Sequence, residues 1–436
     1  PRQRDIIRRP LTKAFSRAMP KKTIDQIDVR GKRVLMRVDF NVPLDEDKTP
    51  PTITDDRRIR MALPSIESVI KRGGRLILIS HLGRPEGKGF EPAGSLKPAA
   101  DRLAELLPPP KSKVVFPSND CTDDKAKVAV NALKDGEIAV LENLRFHKGE
   151  KKGDPAFAEK LAALGEIYCN DAFGTAHRND ASMFAVPSAM KKAGRPCVAG
   201  LLLQKELKYL SEAIAQAKRP FVAVLGGAKV SDKLAAIRNL MPRVDAILIG
   251  GAMAYTFLKA RGQNVGKSLV EEAMLGEAKS LLAMSGGKGS AKIYLPSDHV
   301  CGKKIEAGTA TQTFTGDIGK GGDGEWMGLD IGPATAAEYS RVLSGAKTIV
   351  WNGPMGVFET PPFDAGTKAV AQAMAKATAA GGAEGAVSIV GGGDSAAAVE
   401  EFGLAEGFSH VSTGGGASLE MLEGRAFDSV AVLDDA

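Results

Sequence analysis

One local pattern recurs along this chain: a short, almost wholly apolar run rich in Val, Ile and Leu, then a turn, then a stretch with apolar residues at helical spacing. The runs are Val34–Val38, Leu76–Ser80, Ile138–Leu141, Phe221–Leu225, Ala246–Ile249, Thr348–Trp351 and Val387–Val390. A strand that is apolar on both faces must be covered on both, which is the situation of a parallel strand between two helical layers. The stretches between the runs agree. Ile59, Leu63, Ile66 and Ile70 share one helical face, and Leu234, Ile237 and Met241 share another in a helix that Ser231 is placed to cap. The pattern predicts parallel sheets in an α/β architecture. A length of 436 residues, against roughly 100–200 per domain, predicts two domains.

The two halves differ in the turns at the ends of their strands. In the first half the turns are charged: Asp39-Phe40-Asn41, His81-Leu82-Gly83-Arg84, Asn143-Leu144-Arg145, and the stretch from Asp171 through His177-Arg178. In the second half they are glycines: Gly226-Gly227-Ala228-Lys229, Gly250-Gly251, Asn352-Gly353-Pro354, Gly391-Gly392-Gly393-Asp394 and Gly414-Gly415-Gly416. The segment 201–217 reads as one long amphipathic helix, and the junction between domains is placed there.

Ligands of open α/β sheets sit outside the carboxyl ends of the strands, where these turns fall. Arg84, Arg145, Arg178 and His81 are read as four converging cations. Guanidinium forks aimed at one point suit a small phosphorylated acid, because each binds phosphate or carboxylate in a bidentate manner. Asp39 and Asn41 are placed to take a hydroxyl. The glycine turns of the second half open helices, an arrangement that presents backbone N–H groups and a positive helix end to phosphate. At the clearest of them, Asp394 has two readings, a Mg²⁺ ligand or a plain helix cap.

Other patterns exclude themselves. Gly262 to Ser268 imitates a P-loop but has three residues between its glycines where four are required. Gly319, Gly321 and Gly324 fit GxGxxG without the strand before and helix after that a dinucleotide site needs. Cys121, Cys169, Cys197 and Cys301 form no CxxC pair, and the five histidines show no metal-ligand spacing, His410 being read as structural. The net charge of +7 is concentrated at one end: residues 1–18 hold six Lys or Arg against one Asp, so only +2 belongs to the rest. A basic groove for nucleic acid belongs in the folded body, and that class is excluded. No apolar run approaches the 18 or more residues of a transmembrane helix. Residues 1–18 are taken as a disordered extension preceding a start at Met19, either transit-like or an artefact.

Seven ordered motifs give the chain its resemblance. They are Arg37-Val38-Asp39-Phe40-Asn41-Val42-Pro43, Ser80 to Pro85, Leu141 to Phe146, Gly226 to Lys233, Trp351 to Glu359, Gly391 to Asp394, and Ser412 to Glu420. On these the chain resembles the phosphoglycerate kinase family from Lys21 to its C-terminus. The resemblance implies two Rossmann-like, doubly wound parallel-sheet domains joined by a long helix and hinge. They comprise 19–200, an acid-binding domain; 201–217, the interdomain helix; 218–422, a nucleotide-binding domain; and 423–436, a segment returning to the first domain.

The implied reaction is reversible transfer of the γ-phosphoryl of MgATP to the carboxylate of 3-phosphoglycerate, giving 1,3-bisphosphoglycerate and MgADP. The implied partners are these small molecules only, with no nucleic acid or membrane, for a cytoplasmic monomer. By resemblance Arg84, Arg145 and Arg178 hold the 3-phosphate. Asp39, Asn41, Arg58 and His81, with the adjoining Phe40, Leu82 and Gly83, hold the glycerate end. The nucleotide falls to Gly227, Ala228, Lys229, Lys233, Gly250, Gly251, Asn352, Pro354, Gly356, Val357, Glu359, Gly391, Gly392, Gly393, Asp394 and Ser395, with Asp394 serving the Mg²⁺. Arg58, Lys229 and Gly414, Gly415 and Gly416 are the implied catalytic residues.

The chain departs from the family pattern at Ala252, where a third glycine is frequent, and at Asn179-Asp180, which replace Ala-His. The second places an acid near a phosphate site. The chemistry accords with the motifs: the acceptor is already a carboxylate at neutral pH, so no general base is required. Aligned oxygens and well-placed cations lower the barrier. Transfer also requires the two ligands to meet in a closed, water-poor cleft, so a bilobed resting protein that closes on both ligands is expected. Two other classes fit the chain less well. A dehydrogenase lacks its strand-GxGxxG-helix fingerprint here, and a non-enzymatic binding protein should have lost Lys229, Arg58 or Asp394, all of which are present.

Overall fold

In a computed structural model the described residues are 20–436, apart from 46, 49–50, 110–111, 320–323 and 380–384; the side chains of 211–215 are likewise outside the description. The basic stretch 1–18 therefore lies outside the described residues. Two compact units make up the chain: one runs through Lys208 and takes in Ala426–Ala436, and the other is Tyr209–Arg425. The division falls inside the helix Leu201–Ala215, which stops short of the expected residue 217.

The first unit is built on a six-stranded sheet in the order Val114–Val115, Ile138–Val140, Arg75–Ile79, Arg33–Arg37, Ile167–Asn170, Cys197–Ala199. Every pairing in it is parallel. The chain moves from Arg33–Arg37 to one side and later crosses to the other at Ile167–Asn170. The sheet thus changes direction between these strands, and their carboxyl ends lead to Asp39-Phe40-Asn41 and to the Asp171–Arg178 stretch. The helix Arg57–Ile70 buries Ile59, Ala62, Ser65, Ile66 and Val69. Its inner stripe lies one step around from the expected one, since Leu63 and Ile70 are only partly covered. The C-terminal segment is stitched into this unit by backbone bonds from Lys22 N to Asp434 O and from Asp434 N to Cys197 O, at 2.9 and 2.7 Å.

The second unit has its own all-parallel six-stranded sheet, ordered Lys292–Tyr294, Ala246–Ile249, Phe221–Leu225, Thr348–Asn352, Val387–Gly391, His410–Val411. Numbered along this unit, the order is 3-2-1-4-5-6, that of a doubly wound nucleotide-binding fold, with its crevice at the ends of Phe221–Leu225 and Thr348–Asn352. A small antiparallel sheet, Thr311–Thr315, Asp298–Gly302 and Met327–Ile331, adds to the parallel architecture. Among the described residues no helix is long and apolar enough to cross a membrane.

The expected cap at Ser231 is not formed. The helix Leu234–Leu240 starts after Lys233 without a side-chain cap. Ser231 instead meets Glu271, its N–H donating at 3.0 Å and its hydroxyl at 2.6 Å. Ser231 lies two residues before the N-cap position Lys233, too early to accept from the first helical N–H groups, and its own proton goes to the Glu271 carboxylate that tertiary structure brings in.

Candidate functional site

In the first unit the turns after three neighbouring strands interlock through Gly83. Its N–H donates to Asn41 Oδ1 at 2.8 Å, while its carbonyl accepts from Arg145 Nη1 at 2.7 Å. Arg58 joins from the helix that starts at Arg57, donating to the Asn41 carbonyl at 2.7 Å and lying 3.4 Å from the Asp39 carboxylate. Arg178 is half-buried in the turn after Ile167–Asn170, and Arg84 is exposed. Both keep side chains available to an anion. Phe40 and Leu82 are placed differently from what their inclusion in the site suggests: both side chains sit in the hydrophobic core, so only their backbone can face a ligand.

His81 is not one of four cations. Burial, reinforced by the guanidinium groups of Arg37, Arg145, Arg178 and Arg58, holds its imidazole well below the usual range. At neutral pH it is an uncharged ring in a cationic setting, and the positive charge comes from arginine alone. Arg37 lies behind it, fully buried at the end of its strand, with Nη2 3.0 Å from His81 Nδ1. Sequence reasoning misses Arg37 except as part of a motif, although a signal is there: a charged residue set between the apolar Val34–Met36 and Val38 is almost never buried without partners. The departure at Asp180 puts a buried carboxylate oxygen 4.0 Å from Arg145 Nη2, and Asn179 reaches Asp428 at 3.1 Å.

In the second unit the glycine turns divide into two kinds. A β-carbon on Gly226 would stand 2.0 Å from the Pro354 carbonyl oxygen, and one on Gly251 2.6 Å from Gly227 N. These glycines let two backbone loops touch at the crevice. Gly227 and Gly393, by contrast, have nothing among the described residues within 4 Å of such a carbon, so the space beside them is open. Gly393 begins the helix Gly393–Glu401, and Gly415 begins the helix Gly415–Leu422, each with a positive N-terminal end. Ala252 precedes the helix Met253–Ala260 at φ −62°, a conformation that any residue adopts.

Around that space, Lys233 bonds Asn352 Oδ1, while Asn352 Nδ2 is buried without a partner among the described residues. A buried amide donor left open beside Gly392 suits a phosphate oxygen. Ser395 is buried, its hydroxyl accepting from Gly353 N at 2.6 Å, so it shapes the crevice from below. The Pro354 carbonyl accepts from Gly227 N at 3.1 Å, and Val357 N donates to the Leu329 carbonyl at 2.9 Å. Ala228, Lys229, Glu359 and Asp394 are exposed, and Gly250, Gly356 and Gly391 line the strand ends and loops beneath them. Asp394 is the second residue of its helix, whose N-cap is Gly392, so the plain-cap reading does not hold.

The P-loop imitation closes on itself, while Gly321 of the GxGxxG pattern lies outside the described residues. Ser268 Oγ donates to the Val265 carbonyl at 2.6 Å and accepts from Gly328 N at 2.9 Å, which leaves no phosphate loop. His410 is buried and stacks on Tyr209 with centroids 4.9 Å apart. Spacing does not reveal one convergence: Asp120, Cys121 and His147 bring potential ligand atoms within 4.8 Å of one another. Asp120 Oδ1 already faces His147 Nε2 at 3.2 Å and the Thr122 N–H and hydroxyl at 2.7 and 3.0 Å, so the group is satisfied internally.

A doubly wound unit with an arginine cluster at its carboxyl edge, followed by one with a glycine-lined crevice suited to phosphate, has the make-up of a two-domain α/β phosphotransferase. A family model described as phosphoglycerate kinase matches residues 24–425. The phosphoglycerate kinase of Rhodopirellula baltica is 58% identical over 96% of this chain and 100% of its own length, and that of Chloroherpeton thalassium is 52% identical over the same shares. The solved structure of phosphoglycerate kinase from Coxiella burnetii superposes with a TM-score of 0.80 at 38% identity, covering 95% of this chain and 98% of that one. The chain belongs to the phosphoglycerate kinase family.

Proposed function

We infer that the chain carries out reversible transfer of the γ-phosphoryl of MgATP to the carboxylate of 3-phosphoglycerate, in the cytoplasm. The observation that carries the reading is the arginine cluster around His81 at the carboxyl edge of the first sheet, where Arg145 and Asn41 meet through Gly83. In this reading Arg84, Arg145 and Arg178 bind the 3-phosphate by guanidinium forks. Asp39 and Asn41 take the hydroxyl, and His81 and Arg58 take the carboxylate. A neutral His81 supplies direction and Arg58 supplies charge.

The open space at Gly227 and Gly393, the helix starts and the free Asn352 amide donor fit the phosphates of a nucleotide. The exposed Asp394 carboxylate is a hard oxygen donor suited to hold Mg²⁺. Bound with the nucleotide, the ion offsets charge on the phosphate oxygens. Lys229 and Arg58 are the cations that stabilise charge on the moving group, and no residue need remove a proton, because the acceptor is already ionised.

A coupled assay supplying 3-phosphoglycerate and MgATP tests the reading directly. Turnover with both, and none when 3-phosphoglycerate is replaced by glycerate, is the expected outcome. No turnover with the complete mixture rejects it.

A further inference from the structure

Glu150 is wholly buried and belongs to neither set of ligand-binding residues. Its two oxygens accept from one residue: Oε2 from the Ser182 N–H at 3.0 Å, and Oε1 from the Ser182 hydroxyl at 2.6 Å. The single hydroxyl proton is thereby committed to Glu150. What the Ser182 oxygen has left is lone pairs, and Arg37 Nε–H lies 3.0 Å from them. A guanidinium has donors only and keeps its protons. Its Nη2, 3.0 Å from His81 Nδ1, can therefore only donate. Nδ1 must accept, and the imidazole proton sits on Nε2.

Arg37 can only donate on both sides, so its bonds to Ser182 and His81 have fixed directions, and Glu150 and Ser182 fix where its guanidinium lies. Arg37 is fully buried, and a cation removed from water needs a counter-charge. Glu150 supplies one, a single hydroxyl away: burial pushes its carboxyl up, and the Arg37 charge and the Ser182 hydroxyl draw it back down. An imidazolium at His81 would set an N–H of the ring against an N–H of Arg37.

We propose that Glu150, acting through Ser182 and Arg37, is a positioning residue that fixes His81 as the neutral Nε2–H tautomer and so gives the acid site a directed donor. The substrate-facing part of this rests on placing His81 in the acid-binding site, whereas the tautomer is a property of the free protein.

Nitrogen NMR of the full chain labelled with ¹⁵N-histidine, ligand-free at pH 7, reads the tautomer. Protonated Nε2 with bare Nδ1 at His81 is expected. An imidazolium or an Nδ1–H tautomer overturns the proposal with no variant needed. Glu150→Gln and Ser182→Ala, checked for wild-type thermal midpoints, should shift His81 toward mixed tautomers. The KM for 3-phosphoglycerate should rise about tenfold, as for a weakened hydrogen bond to a charged group, while that for ATP is unchanged. Folded variants with unaltered His81 nitrogens overturn the relay. Saturating 3-phosphoglycerate should also move the wild-type Nε2 signal. An unmoved signal would reject the site placement of His81, while the tautomer measurement judges the relay separately.

Discussion

Gly415 lies against Gly393 so closely that a β-carbon on Gly415 would stand 3.0 Å from the Gly393 backbone nitrogen. The starts of two helices thus meet at one point, where their partial positive charges add. Glycines of the second unit's turns carry opposite constraints, and this separates them by experiment. Gly393→Ala fills open space and should leave thermal stability unchanged while raising the KM for ATP about tenfold, through loss of close backbone approach. Gly226→Ala drives a methyl into the Pro354 carbonyl and should cost about 3 kcal/mol of stability. Thermal melts and steady-state kinetics on both variants check the contrast; equal effects in the two would refute it.

Lys229→Ala and Arg58→Ala should each reduce turnover by on the order of 10²-fold or more, as for removal of a preorganised charge donor. Steady-state kinetics of each single variant measure this. Near wild-type turnover in either would exclude that residue from its assigned role.

His299 gives the molecule an acid-sensitive element. Burial lowers its pKa to about 4, against 6.5 for an exposed imidazole. The unfolded chain therefore takes up a proton near pH 6.5 that the folded one refuses. Stability from this site is intact above pH 6.5 and falls, by up to about 1.4 kcal/mol per unit, until the pH reaches about 4. Urea unfolding at pH 7.5, 5.5 and 4.5 should show the decline, and His299→Gln should flatten it. An identical slope in the variant would assign the effect elsewhere.

Removal of residues 1–18 should leave turnover near normal, because every matched motif lies after them. Kinetics and thermal melting of the shortened chain test this. Loss of activity or of folding would make the extension part of the working protein.

The strands visible in the sequence are those whose apolar runs reflect cover on both faces, such as Phe221–Leu225, buried at every position. Thr311–Thr315 buries only Phe314, so its pattern carries no such run and the antiparallel sheet is silent. Site residues are legible where they come directly after strands, because topology puts them at the carboxyl edge whatever else the chain does. Glu150 and Ser182 are not, since their meaning lies in which atoms they meet, and those partners come from distant stretches. Ser231 fails for the same reason: local spacing offers a helix cap, but Glu271 arrives from elsewhere.

The stitching of Ala426–Ala436 into the first unit has a consequence for how the molecule is made. Lys21 pairs with Asp435, and the Asp434 carboxylate accepts from Cys197 N at 3.0 Å. The first unit thus closes only with residues that leave the ribosome after the whole second unit has been synthesised. During translation the unit begun earlier waits with an open edge, while Tyr209–Arg425 already has all of its own chain. The later-made unit is thus positioned to mature first, and a nascent chain halted before Asp434 would expose the edge at Cys197 to chaperones and proteases.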